Sequence, residues 1–434
     1  MTKEEILDRI EEEDVEFIRL QFTDMKGVLK NVAVTANQLG RVLDQKYIFD
    51  GTALTGEGRD NSEDLYLVPD LDTFVILPWR PQQGKVARFL CDVYHEDGTL
   101  CVHSPRRILK NVLEAAKKEG YTIYVDPENE FFLYHTDEDG MPTTVTHDQA
   151  GYMDIGPVDL GENARRDMVL ALEDMGFEVE SSHHEQAPAQ HEIDFKESEA
   201  LECADAIMTF RMTVRSIAKR FGLHATFMPK PCEGVPGSGM HLNLSVYKDG
   251  RNIFNTKDVN DVKDETRWFI GGILAHADGF CAISNPLVNS YKRLCSGFDA
   301  PLYKNWAVKK VNPLIRVRKP LGEDTKVELR FPDSSANPYL VIAVAVAAGL
   351  QGLREHTEPG AMITAPLKTS QMTKNKKLPI TLVEALDDFK RDAFFKEVLG
   401  EEFMKDYIAM KTEEWDSYMT QVSAWEINRY LFRI

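Results

Sequence analysis

Acidic and histidine side chains recur at alternate positions in three separated strand-like segments, and this feature most restricts the possible folds. Glu128 and Glu130 are two positions apart, Glu328 and Arg330 repeat that spacing, and His241 begins the run His-Leu-Asn-Leu-Ser. Alternate side chains of a β-strand point to the same face. Each segment therefore predicts a strand that presents polar residues to one side and apolar residues to a core.

Together with Glu185 and Glu192, in the run from His183 to Asp194, the polar residues of these strands have the chemistry of a metal site. Five carboxylates and one imidazole are the ligands that two hard divalent cations need to hold a nucleotide triphosphate beside an acidic substrate. On the same strand faces, Asn243 and Ser245 are predicted to hydrogen-bond a nucleotide, and Arg330 to bind a carboxylate. The predicted metal ligands are Glu128, Glu130, Glu185, Glu192, His241 and Glu328.

Each segment also has a simpler interpretation. Alternating glutamates on one strand are usually its solvated face, His241 could be a hydrogen-bonded core histidine, and Glu328 with Arg330 could form a surface ion pair. The recurrence of the pattern in several segments, beside glycine-rich turns and basic residues, favours a divided metal site.

The chain is long enough for more than one domain. Its 434 residues, 43% of them hydrophobic, can bury a large core in two or three domains. A small β-rich domain is predicted over residues 1–103, and a larger α+β domain over 104–434, with the boundary before the Ser104-Pro105 helix start. The strand runs are 15–22, 28–35, 65–77 and 85–94, and the helical runs are 106–118, 162–175, 198–221, 266–282 and 338–353.

Charge and composition exclude several classes of protein. A net charge of −19 argues against a nucleic-acid or membrane partner. The six cysteines lack metal-ligand spacing, which favours reduced thiols. Residues 2–5 form a capping-box start of an amphipathic helix rather than an apolar signal, and no apolar run approaches ~20 residues. We therefore expect a cytoplasmic protein.

Longer motifs give the chain a family resemblance. They are Phe-Asp-Gly at 49–51, Pro-Glu-Asn-Glu-Phe-Phe at 127–132, Gly-Glu-Asn-Ala-Arg-Arg at 161–166, His-His-Glu at 183–185, His-Glu at 191–192, Pro-Lys-Pro at 229–231, Gly-Ser-Gly-Met-His at 237–241, Asn-Ser-Tyr-Lys-Arg at 289–293 and Ser-Ala-Asn-Pro-Tyr at 335–339. From about residue 5 to the C-terminus, the sequence resembles bacterial type I glutamine synthetase. The stretch 363–380 is short and lacks tyrosine, which resembles the I-α type without an adenylylation insert.

The resemblance implies a fold and an activity. The fold would be α+β, with an N-terminal β-grasp domain and a C-terminal catalytic domain whose curved antiparallel sheet is flanked by helices. The homo-oligomer would be a dodecamer of two hexameric rings with active sites between neighbours. The enzyme would use ATP and two or more Mg²⁺ or Mn²⁺ ions to join ammonia to L-glutamate through a γ-glutamyl phosphate, which gives L-glutamine.

The resemblance also assigns roles to single residues. Glu130, Glu185 and Glu192 would hold one ion, and Glu128, His241 and Glu328 the other. The substrate would contact Gly237, Arg293 and Arg330, with Tyr152 and Glu185 around the ammonium. Nucleotide and phosphates would contact Asn243, Ser245, Arg316 and Lys326. Asp50 of the adjacent subunit would help deprotonate ammonium, and Asp299 would act from a flap over the site.

Several positions depart from the family pattern. Asp299 replaces a flap glutamate, Val311 replaces an arginine expected to contact phosphate, and Lys326 replaces another arginine. Ala53 replaces a pocket serine, and Pro236 an asparagine. Because Ala53 and Asp299 enlarge the ammonia pocket, a γ-glutamyl-amine ligase using a larger primary amine is an alternative.

A third alternative is a catalytically weak regulatory paralogue. The retained metal ligands, substrate arginines and Asp50 argue against it. Arg59 aligns with an arginine through which I-α members sense glutamine, and an exposed loop arginine is the competing interpretation.

Overall fold

The computed structural model describes most of the chain. The described residues are 1–56, 63–79, 83–256, 262–295, 297–298, 300–309, 311–318, 322–367 and 376–434. Asp299 and Arg59 lie outside these ranges. Among the residues described, no helix has both the length and the apolar composition that a membrane span requires.

A six-stranded sheet forms the N-terminal part of the fold. Its strand order is β2-β1-β6-β4-β3, with β5 also paired to β6. The β1–β6 pair is parallel and the other pairs are antiparallel. The elements are α1 (Lys3–Glu12), β1 (Val15–Thr23), β2 (Leu29–Thr35), α2 (Ala36–Gln45), β3 (Tyr47–Asp50), α3 (Thr52–Thr55), β4 (Asp64–Pro69), a 3₁₀ turn (Leu71–Thr73), β5 (Val75–Ile76) and β6 (Lys85–Tyr94).

Local sequence signals explain how this part begins and packs. Thr2 caps α1, and the side chain of Glu5 returns to the backbone of Thr2, so the predicted capping box is present. Ile6 of α1 and Leu39 of α2 are fully buried in the core beneath β1 and β6, together with Ile18 and Phe89.

A ten-stranded sheet dominates the rest of the fold. Its order is β14-β15-β16-β12-β7-β9-β8, with β10 and β11 paired to β7, and β13 paired to β12. All its pairs are antiparallel except the edge pair β14–β15. The strands are β7 (Tyr121–His135), β8 (Val179–His184), β9 (Gln190–Phe195), β10 (Ser198–Glu199), β11 (Leu223–Thr226), β12 (Met240–Lys248), β13 (Arg251–Asn252), β14 (Trp306–Ala307), β15 (Ile315–Arg318) and β16 (Lys326–Leu329).

Helices cover the apolar side of this sheet. The apolar helix α10 is buried along most of its length and packs against α7, α4 and α6. A Cβ on Gly272 of α7 would lie 2.0 Å from the carbonyl oxygen of Ala348, so glycine permits the close approach of α7 to α10. The helices are α4 (Pro105–Lys118), α5 (Glu162–Asp174), α6 (Ala200–Arg220), α7 (Asp264–Ala275), α8 (Ala277–Ser284), α9 (Val288–Leu294), α10 (Pro338–Glu355), α11 (Leu382–Arg391), α12 (Ala393–Leu399), α13 (Glu401–Met419) and α14 (Ala424–Tyr430).

The prediction of one uninterrupted helix over residues 266–282 is wrong. The structure divides it into α7 and α8 at His276, whose ψ of 4° interrupts the regular turn. The imidazole of His276 stacks on Phe394 and hydrogen-bonds Asp392 over 2.6 Å. These contacts with the C-terminal helices, which the periodicity of residues 266–282 does not encode, accompany the break.

One buried arginine joins the two parts of the fold. Arg106 at the start of α4 donates from Nη1 to Asp92 and from Nη2 to Asp70, both over 2.8 Å. It also contacts Asp205 on α6 through Nε and Nη2. Because a buried charge must be compensated, this network fixes the N-terminal sheet against α4 and α6.

Candidate active site

The register of the large sheet explains why distant acidic residues meet. On β7, Glu128 lies opposite His241 of β12 and opposite Asp194 of β9. Glu130 lies opposite Glu192 of β9. Because alternate residues share a face, these pairs form adjacent rows on one side of the sheet.

A cavity of about 390 Å³ opens over these rows. It contains all six predicted metal ligands and all four predicted substrate-binding residues, Tyr152, Gly237, Arg293 and Arg330. Its lining is Glu128, Glu130, Tyr152, His183, Glu185, Gln186, Gln190, Glu192, Asp194, Pro236, Gly237, His241, Arg293, Phe298, Ala300, Arg316, Arg318, Glu328 and Arg330.

Two groups of three residues in this cavity can each hold a metal ion. Glu128, His241 and Glu328 form one group, whose ligand atoms lie within 4.8 Å of one another. Carboxylate oxygens and an imidazole nitrogen suit a divalent cation such as Mg²⁺ or Mn²⁺. The donor set therefore fits the ion that the sequence predicts for these three residues.

The second group is His183, Glu185 and Glu192, and it meets the same distance criterion. Glu130, predicted to be the third ligand here, lies beside the group and accepts hydrogen bonds from Gly239 N over 2.8 Å and Gln190 Nε2 over 2.9 Å. His183 is not among the metal ligands predicted from the sequence. Its spacing of two from Glu185 is the signal that could have identified it.

Crowded carboxyl groups make this cavity favourable for cations. Removal from water, together with the charge of Glu185, raises the pKa of Glu130 to about 8. Burial also raises the pKa of Asp194 to about 7, and the pKa of Glu192 lies well above its usual range for the same reason. A bound divalent cation would relieve this repulsion, which is a further indication that the residues present fit one.

Glu128 behaves in the opposite way. Burial opposes its ionisation, but hydrogen bonding and charge from His241, with the charge of Arg318, hold the pKa of Glu128 below its usual range. His241 Nδ1 lies 2.9 Å from the Glu128 carboxylate, and burial lowers the pKa of His241. A Glu128 carboxylate that is held ionised in this way can ligate a cation without first losing a proton.

Two buried arginines also line the cavity. Arg293 donates to the carbonyl oxygen of Phe331 over 3.0 Å, and Arg330 pairs with Glu328 over 3.1 Å. A Cβ on Gly239 would lie 2.6 Å from Arg293 Nη2, so glycine leaves room for the guanidinium. Fixed guanidinium groups of this kind can bind a carboxylate.

The residues predicted to bind nucleotide differ in their position relative to the cavity. Asn243 is buried and donates to Glu128 Oε1 over 3.2 Å. Ser245 donates to Glu197 over 3.2 Å, and Lys326 pairs with both Glu197 and Asp126 over 3.0 Å. These three side chains do not line the cavity, whereas Arg316 lines it and pairs with Glu328.

The remaining predicted residues occupy different places. Tyr152 is half exposed at the cavity rim, with its ring centroid 5.5 Å from that of His183. Asp50 is exposed on β3, accepts a hydrogen bond from Thr52 N over 2.9 Å, and does not line the cavity of its own chain. Val311 lies in the described part of the chain and is not in the lining either.

Sequence reasoning also missed other residues of the lining. Asp194 lies two residues after Glu192, and Arg318 lies two after Arg316, so strand alternation could have identified both. Gln190 lies two residues before Glu192 on β9, and its Nε2 donates a hydrogen bond to the Glu130 carboxylate.

Known sequences match this chain over nearly its whole length. Two family profiles match it: "Glutamine synthetase, beta-Grasp domain" at residues 14–96 and "Glutamine synthetase, catalytic domain" at residues 102–430. A curated glutamine synthetase of Clostridium saccharobutylicum is 52% identical over 99% of this chain and 98% of the relative. One of Staphylococcus aureus strain N315 is 46% identical over the same shares.

Solved structures are also similar. A GmaS/ADP complex in its first conformation has a TM-score of 0.89 and 28% sequence identity, with 98% of this chain and 99% of that chain covered. Apo GmaS without ligand has a TM-score of 0.87 at the same identity and coverage.

Proposed function

The chain belongs to the glutamine synthetase family, and from this membership we propose that it forms L-glutamine from L-glutamate, ammonia and ATP. The observation that carries the proposal is the pairing of two potential metal groups with arginines in one cavity. Phosphorylation of a γ-carboxylate brings several negative charges together, and this cavity offers ligands for cations, as well as guanidinium groups, to offset them.

The acidic residues and histidines of the cavity would bind the metal ions. Glu128, His241 and Glu328 would hold one ion, and Glu130, Glu185 and Glu192, with His183 added, would hold the other. When bound, Mg²⁺ or Mn²⁺ supplies positive charge to the γ-carboxylate and to the transferred phosphate.

The chain's other residues orient the substrates. Arg293 and Arg330 would bind the carboxylates of glutamate, with Gly237 at its amino-acid backbone. Arg316 would stabilise the transferred phosphate, and Asn243, Ser245 and Lys326 would contact the nucleotide. Tyr152 would lie beside the ammonium, because it lines the same cavity as Glu185.

Asp50 and the flap residue Asp299 would complete the site. Since Asp50 lies on an exposed strand away from its own cavity, its predicted role requires a neighbouring subunit. A dodecamer of two hexameric rings is therefore part of the proposal. Its support within this chain is the exposed apolar C-terminal segment, where Phe432 is 91% and Ile434 97% exposed. The domain division at 103/104 and a cytoplasmic location remain predictions.

The larger-amine alternative has less support. The curated relatives named glutamine synthetase are 46–52% identical to this chain, whereas the GmaS structures are 28% identical. Ammonia is the favoured acceptor for that reason.

Phosphate release from ATP and L-glutamate tests the proposal. We expect release to depend on Mg²⁺ or Mn²⁺ and on ammonium, with L-glutamine formed in equal amount. Methylamine and ethylamine, offered separately, should be poorer acceptors. Preferred use of a larger amine would support the alternative, and absence of any acceptor-dependent release would contradict both.

A further inference from the structure

Arg318 places a second guanidinium beside Arg316 in the lining of the cavity. Arg316 and Arg318 alternate on β15, so both side chains lie on the same face of the strand. Both line the cavity, and the side chain of Arg318 remains 31% exposed at its mouth. This exposure leaves the guanidinium accessible to a ligand that enters the cavity.

The contacts of Arg318 place it beside one potential metal group. Nη1 pairs with Glu128 Oε1 and donates to Asn243 Oδ1 over 3.1 Å. Glu128 lies on β7, and two strands, β16 and β12, separate β7 from β15 in the sheet. Arg318 therefore reaches across the polar face of the sheet to the group formed by Glu128, His241 and Glu328.

A guanidinium in this position suits a phosphate. Both contacts are made through Nη1, and a guanidinium has further N–H donors in the same plane, in a fork that matches two phosphate oxygens. The family resemblance expects a phosphate-contacting arginine at the position of Val311, whose aliphatic side chain cannot donate and which does not line the cavity. Arg318 supplies a guanidinium to the same cavity from another strand.

We propose that Arg318 binds the terminal phosphates of the nucleotide and replaces the arginine that Val311 cannot provide. The inference rests on the proposed function, because that function places ATP in this cavity. A role confined to neutralising Glu128 is the competing explanation. The two roles predict different effects of removing Arg318. A residue that binds the terminal phosphates contributes to the affinity for ATP but not for AMP, whereas a residue that only neutralises Glu128 changes the affinity for the metal.

Calorimetric titration of the assembled protein separates the two roles. Arg318→Ala should bind a non-hydrolysable ATP analogue with Mg²⁺ roughly 10- to 100-fold more weakly than wild type, because one or two charge-assisted hydrogen bonds are lost. Its affinity for AMP should not change. Arg318→Lys should recover part of the loss, since lysine keeps the charge without the fork. Arg391→Ala, which removes an exposed arginine from α11, is the matched control and should bind as wild type.

A titration with Mn²⁺ alone gives the second readout. Removing a positive charge from the metal group should leave Mn²⁺ affinity unchanged or raise it, opposite in sign to the effect on the ATP analogue. Equal binding of the analogue by wild type and Arg318→Ala would overturn the proposal. An equal loss for AMP would also overturn it, as would a loss of Mn²⁺ affinity as large as the loss for the analogue.

The wild-type measurements distinguish this proposal from the proposed function. If wild type binds the ATP analogue but forms no glutamine, the ligase assignment fails. The affinities of wild type and Arg318→Ala for the analogue still test whether Arg318 binds phosphate. If wild type binds no nucleotide, both are overturned.

Discussion

Glu130 and Glu192 lie directly opposite each other in the antiparallel pair of β7 and β9. Two carboxyl groups in this relationship repel when ionised. Burial raises the pKa of both; the charges of Asp194 and Glu130 raise that of Glu192 further, and the charge of Glu185 raises that of Glu130. A fold gains no stability from such a pair unless a cation joins the two groups. The pair is therefore explained best by the metal that the proposed reaction requires.

Replacement of Glu130 tests the metal site. Glu130→Ala should lower glutamine formation by at least roughly 10²-fold, because a group that acts on the charged transition state is lost. The variant should stay folded and assembled, since removing one of several repelling carboxylates does not open the core. Activity, circular dichroism and Mn²⁺ titration measure these effects.

The control for this variant is Glu138→Ala. Glu138 is an exposed glutamate in the loop after β7, so its replacement should leave activity and Mn²⁺ binding unchanged. Near-full activity of Glu130→Ala would remove Glu130 from the metal site.

The pair of Asp70 and Arg106 gives a pH-dependent prediction. Burial acts to raise the pKa of Asp70, but the hydrogen bond and charge of Arg106 outweigh it and hold this pKa below its usual range. A lowered pKa in the fold stabilises the protein above the unfolded value of about 4, and this contribution is lost as the pH falls through the folded value. Asp70→Asn should therefore be less stable at pH 7 by about 1 kcal/mol.

The difference between wild type and Asp70→Asn should begin to shrink below about pH 4, where Asp70 becomes protonated in the unfolded chain, and should disappear once the pH has also fallen through the lower pKa of Asp70 in the fold. Thermal unfolding at a series of pH values measures it. Asp8→Asn, at an exposed position of α1, should show no such pH-dependent difference. A constant gap at all pH values would show that the Asp70 charge does not contribute.

The sequence predicts the elements of this fold better than their pairing. The helical run predicted over residues 338–353 agrees closely with α10 (Pro338–Glu355), because helical periodicity is a local property of the sequence. The break at His276 was missed because it accompanies packing against residues more than a hundred positions later. Local periodicity contains no information about such contacts.

The same difference between local patterns and long-range strand pairing applies to the active site. Alternation within β7, β12 and β16 was enough to propose Glu128, Glu130, His241 and Glu328. Which strands lie next to each other depends on register, and only the register brings His183 to Glu192 and Arg318 over Glu128. The roles of Asp50 and Asp299 remain predictions, since one requires a second subunit and the other lies outside the described residues.

The exposed C-terminal segment gives a prediction about assembly. Leu431 is 65% and Phe432 91% exposed, which is unfavourable for large apolar side chains unless another surface covers them. The double variant Leu431→Ser/Phe432→Ser should form smaller particles than wild type in light scattering at the same concentration. Lys405→Ser, at an exposed position of α13, is the control and should assemble as wild type. Unchanged particle size of the double variant would exclude this segment from the interface.

Asp50 and Glu130 provide a test of an active site shared between subunits. Asp50→Ala should lose most activity, roughly 10²- to 10⁴-fold for a group that accepts a proton, and Glu130→Ala should be inactive for lack of a metal ligand. If Asp50 acts in a neighbour's cavity, a mixed assembly contains sites in which an intact Asp50 meets an intact Glu130. Random mixing in equal amounts restores about a quarter of the sites, because each intact half is present with a chance of about one half. Co-expression of the two variants, followed by a glutamine assay, measures this recovery. Each variant assembled alone is the control. If the co-assembled mixture is no more active than these controls, Asp50 does not act in the active site of a neighbouring subunit.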